Sequence, residues 1–64
     1  MRINVIDQET GAALFDYKSN VVPRSGEIIW GSEDGKMDLV VRIVLHRLSQ
    51  EQGEPFVDLF CVPR

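Results

Sequence analysis

The stretch "MDLVVRIVLHRLSQ", residues 37–50, decides the fold because its apolar residues satisfy two different periods. As a strand, Leu39, Val41, Ile43 and Leu45 form an unbroken apolar face, with Val40, Arg42, Val44, His46 and Leu48 on a mixed opposite face. As a helix over about residues 38–50, Met37, Val40, Val41, Val44, Leu45 and Leu48 line one side, but Arg47 falls inside the apolar arc. Composition separates the two. Val40, Val41, Ile43 and Val44 are β-branched, which costs a helix side-chain freedom and suits a pleated surface. The stretch therefore reads as a strand, and an α+β arrangement with a helix here is the alternative.

Toward the C-terminus, "EQGEP" signals a turn through Gly53 and Pro55. The run "FVDLFCV" then alternates Val57, Leu59 and Cys61 against Phe56, Asp58, Phe60 and Val62, and Pro63 ends it. Toward the N-terminus, "GSEDGK" is a dense turn signal preceded by a short strand, "EIIW". Before that strand the chain turns a corner. Pro23 fixes its own φ and pushes Val22 toward extended geometry, and Gly26 can accept a left-handed position, leaving Arg24 and Ser25 exposed at the tip. "RINVID" and "AALFDYK", joined through Gly11, form a hairpin with Ala13, Phe15 and Tyr17 on one face against Leu14 and Asp16. Five short strands with polar turns predict one all-β domain over residues 1–64. The expected architecture is a five-stranded antiparallel meander, either a strongly bent sheet or a small barrel.

"VPRSGEIIW", followed by a Val/Arg/His-rich strand and a final "FVDLFCVP", resembles a pattern of short uncharacterised bacterial and phage β-rich proteins. Its entry into a strand through a glycine and an acid also resembles SH3-like small barrels. The resemblance spans Val21 to Pro63; it implies a β fold and carries no catalytic residues with it.

With 44% hydrophobic and 27% charged residues, the chain lies far from compositions that stay disordered. At 64 residues its core is small, so self-association can supplement it. A net charge of -3, with no long run of like charge, works against bulk nucleic-acid binding, which depends on neutralising phosphates. The one cysteine, Cys61, has no second cysteine to pair with and sits in an apolar run, which suits a reducing compartment. Asn4 and Asp7 interrupt any signal-peptide h-region, and the apolar runs are too short to span a membrane. The expectation is a cytoplasmic protein that does not enter membranes.

Residues able to do chemistry are sparse. His46 is the single histidine and has no neighbouring ligands at zinc-site spacing, so it reads as a partly exposed strand residue. A Cys61–His46 nucleophile pair is conceivable, but a thiol in an apolar strand has a raised pKa and is inert. Of the acids Glu27, Glu33, Asp34 and Asp38, three sit in or beside a turn, where acids are better explained by local hydrogen bonding and solubility than by paired-carboxylate catalysis. The glycines of "GSEDGK" are too close for a phosphate loop. The chain is accordingly expected to be no enzyme, with no cofactor, no metal and no small-molecule substrate.

Binding chemistry fits better. Phe15, Phe56 and Phe60 read as core, whereas Trp30 and Tyr17 with Arg24, Arg42, His46 and Arg47 form the candidate binding surface. The expected partner is another protein or a second copy of the chain, joined through an open strand edge as a homo-oligomer. An alternative is a single-stranded nucleic-acid binder using Arg24, Lys36, Arg42, His46 and Arg47 with Trp30 or Tyr17 as stacking surfaces. A third is a phage-type inhibitor of a host complex, whose acidic surface mimics nucleic acid.

Overall fold

A computed structural model of the chain describes residues 1–30, 38–48 and 53–64. The five expected strands are β1 (Arg2–Asp7), β2 (Ala13–Lys18), β3 (Ile28–Trp30), β4 (Asp38–Arg47) and β5 (Phe56–Pro63). Within the deciding stretch Asp38–Arg47 is strand, and no helix occurs among the described residues. The turn signal "GSEDGK" and the first part of "EQGEP" lie outside them.

The strands form one sheet in the order β2-β1-β5-β4-β3, which curls into a half-barrel. This corrects the antiparallel meander. β1 and β5 run parallel, with Ile3 opposite Val57 and Val5 opposite Leu59, while the other three pairings are antiparallel. The reason lies in where apolar surface must go. β5 carries the core residues Val57, Leu59 and Cys61, and the last strand of a meander would hold them at an exposed edge. Between β1 and β4 it has a neighbour on each side. Ile3 and Val5 from β1, and Leu39 and Val41 from β4, complete a seven-residue core that is essentially inaccessible to solvent.

Phe15, Tyr17, Val22, Ile29 and Val44 pack around that core on the inner face. It is an aliphatic core. Phe56 and Phe60, expected inside, stand on the outer face with Asp58 and are half-buried, and Phe15 is half-buried at the inner rim.

Two bulges explain where simple alternation fails. Arg42 is an extra residue in β4: Val41 faces Cys61 but Ile43 faces Phe60, so the inner face passes from Leu39 and Val41 to Val44 and His46. Ile43, expected within an unbroken apolar face, is instead turned outward and 47% exposed, and Leu45 goes with it. In β2, Leu14 is extra between Phe15, opposite Val5, and Ala13, opposite Ile6, so Ala13 does not share the face of Phe15 and Tyr17.

The connections use the expected glycines. The β1–β2 hairpin closes with the Gly11 N–H donating to the Asp7 carbonyl at 2.8 Å, and Gly11 has φ +77°. At the corner before β3, the Glu27 N–H donates to the Arg24 carbonyl at 3.0 Å, with Gly26 at φ +92° in the third position of a type II turn.

Leu59→Ala is expected to cost ~2–5 kcal/mol, a large share of the stability available to so small a domain. Ile43→Ala should cost under ~1 kcal/mol, because the bulge has moved it out of the core. Urea denaturation of the two variants checks both values; comparable losses would rule out the bulged register.

Candidate functional site

The six residues of the expected binding surface do not form one surface. Trp30 stands on the outer face of the short edge strand β3, 73% exposed, opposite Asp38. Ile28, Ile43 and Leu45 are exposed on the same face, in register with Val40, Phe60 and Asp58. Tyr17 is half-buried on the inner face, its ring centroid 6.4 Å from that of Phe15. Arg42 is the bulged residue of β4 and is exposed.

Arg47 is engaged elsewhere. Its Nε donates to Asp58 Oδ2 at 2.8 Å, and the Asn4 amide donates to Asp58 Oδ1 at 3.0 Å. Asp58 is only 6% exposed although it lies on the outer face, and these two side chains bond both its carboxylate oxygens. A carboxylate at the centre of a sheet needs such partners to offset its desolvation. The signal was present in "FVDLFCV", a lone acid inside an apolar strand, but local pattern says nothing of the partners, which come from β1 and β4.

Arg24 and His46, twenty-two positions apart, do line one cleft. The turn that carries Arg24 is docked onto the bulge of β4: the Gly26 N–H donates to the Val41 carbonyl at 2.7 Å, the Val41 N–H to the Glu27 carbonyl at 2.9 Å, and Ser25 Oγ to the Arg42 carbonyl at 3.0 Å. The Glu27 carboxylate accepts the Arg24 backbone N–H and locks the turn. A shallow, open cleft of about 400 Å³ results, lined by Val22, Pro23, Arg24, Ser25, Val44 and His46. On the other side of His46 is a second depression of about 480 Å³, with Leu45, Arg47, Leu48 and Phe56.

The remaining candidates stay apart. Cys61 faces Val41 whereas His46 faces Val57, four residues along β5, so roughly 13 Å of strand separates them. Asp38 lies 4.0 Å from the Arg64 guanidinium. Glu33, Asp34 and Lys36 lie outside the described residues. Among the described residues, no three of His, Cys, Asp and Glu converge as metal ligands, and no helix is long and apolar enough to cross a membrane.

Two inner-face groups have displaced pKa values. Burial pushes the Cys61 thiol up from its ordinary 9.0, and burial, followed by the nearby Cys61 sulfur, pushes the Tyr17 phenol up from 10.0.

Comparison of the chain with protein-family models, with curated proteins and with solved structures returns no match.

Two expectations follow. Asp58→Ala removes a buried acceptor from both Asn4 and Arg47 and should cost ~1–3 kcal/mol, read as a fall in thermal midpoint. The folded state holds the Cys61 and Tyr17 protons more tightly than the unfolded chain does. The stability they confer is therefore whole below the ordinary values and falls as pH rises past them. The urea midpoint should decline from about pH 9 upward, and Cys61→Ala should remove the first part of that decline. A midpoint unchanged up to pH 11 would contradict it.

Proposed function

We propose that the chain is a non-enzymatic, cytoplasmic protein-interaction module that pairs with a second copy of itself along the open edge of β2. Its likeness to SH3-like small barrels and to short bacterial and phage β-rich proteins belongs to the same proposal. One observation carries the pairing. Among the described residues β2 has a single neighbour, β1, so its outer edge presents a row of backbone donors and acceptors, and the exposed pair Asp16 and Lys18 flanks Tyr17 on that edge strand.

Antiparallel pairing of two β2 strands about a two-fold axis at Tyr17 sets Asp16 opposite the partner's Lys18 and Lys18 opposite the partner's Asp16. Opposite charges directly across a sheet attract, and ~0.2–1 kcal/mol accrues per pair. A register centred on Asp16 would set that carboxylate against its own copy. The charges thus select one register out of the adjacent ones. The inner face supports the same choice, since Phe15 and Tyr17 of each copy would extend the half-buried apolar rim of the other.

The single-stranded nucleic-acid reading has less support. It needs its cations on one face with an exposed aromatic ring, but Arg24 and His46 line a groove with inner-face Val44, whereas Arg47 is bound to Asp58 on the outer face, where Trp30 stands.

Sedimentation over a concentration series tests the pairing. Lys18→Glu or Asp16→Lys should weaken dimerisation about tenfold, and the double variant Asp16→Lys/Lys18→Glu should restore it by recreating both pairs with their signs exchanged. Asp16→Lys also removes the exposed Arg2–Asp16 bridge, which contributes little to stability. A chain that stays monomeric at millimolar concentration, or a double variant no better than the singles, would overturn the proposal.

A further inference from the structure

The cavity between the Pro23–Gly26 turn and β4 has the composition of a site for the end of a peptide chain, and we infer that it binds a C-terminal carboxylate carried by an apolar residue. The inference is independent of the β2 edge, on the opposite side of the sheet order from β4.

Three chemical functions converge there. Arg24 supplies a planar fork of N–H donors whose spacing matches a carboxylate, and His46 supplies a ring N–H. The salt bridges among the described residues engage Arg2, Arg47 and Arg64, and no described carboxylate forms an ion pair with the Arg24 or His46 side chain. Glu27, the acid nearest in sequence, is tied into the turn by the Arg24 backbone N–H. Val22, Pro23 and Val44 supply an apolar surface.

Ser25 adds the third function. Its hydroxyl proton is spent on the Arg42 carbonyl at 3.0 Å, so toward the cavity it offers lone pairs alone. A ligand that uses all three groups carries a carboxylate, an N–H donor next to it and an apolar side chain. The last residue of a peptide has all of these on one carbon. The open cleft, about 400 Å³, has room for one residue with its preceding amide. A polyanion fits poorly, because the chain carries a net charge of -3 and only two cationic side chains line the cavity.

The test is a titration of the full chain, followed by amide chemical shifts, with N-acetyl-leucine, N-acetyl-leucinamide and inorganic phosphate as probes. N-acetyl-leucine should move the amides of Arg24, Ser25, Val44 and His46, and removing its charge in the leucinamide should weaken binding at least tenfold. Arg24→Gln should produce the same tenfold loss while leaving the dispersion of the other amide signals unchanged, since Arg24 is exposed on a turn. Equal binding of the acid and the amide, or shifts confined to other parts of the sheet, would overturn the inference. Phosphate binding as tight as N-acetyl-leucine would also overturn it, by assigning a general anion site without selection for a peptide end.

Discussion

The parallel pairing of β1 with β5 is the constraint on which the rest of the molecule depends. Chains of this size cannot afford a second layer, so one sheet must both hide its apolar residues and close upon them. Placing Ile3 and Val5 beside Val57 and Leu59 puts the two ends of the sequence in the middle of the sheet. The strands with fewest core side chains, β2 and β3, are thereby sent to the edges. The curl, the seven-residue core and the open edges all follow from that one adjacency.

The second constraint is the bulge at Arg42. Without it, β4 would carry Ile43 and Leu45 inward and the strand would run straight past the β3 corner. With it, the strand bends, Val44 reaches the inner face and the backbone around Val41 and Arg42 offers groups that the Pro23–Gly26 turn captures. One inserted residue thus sets both the packing of the strand's second half and the placing of Arg24 over Val44 and His46.

These two features mark what was legible in the sequence and what was not. Strand identity was legible throughout, because β-branched residues and glycine turns act locally, and the two faces of β5 follow its alternation without error. The faces of β4 and β2 were legible only up to their bulges, since alternation assumes that every residue has an opposite number. Sheet order was not legible: a period of two tells which side a residue faces and nothing of which strand lies beside it. The candidate site shared that limit. Arg24 and His46 were both singled out as surface residues, but their meeting depends on a bulge, and the clasp on Asp58 by Asn4 and Arg47 depends on a strand order visible only in three dimensions.

The central position of the last strand also bears on how the molecule comes into being. Until Phe56–Pro63 has been synthesised, β1 and β4 have no strand to join them, and a nascent chain has only two separate hairpin-like fragments, each with one apolar side uncovered. Closing the loop between the first and last strands carries an entropic penalty before any of the core is gained, so folding should be slow for the chain's length and all-or-none. Until that closure, Val5, Leu39 and Val41 lack the cover that β5 provides.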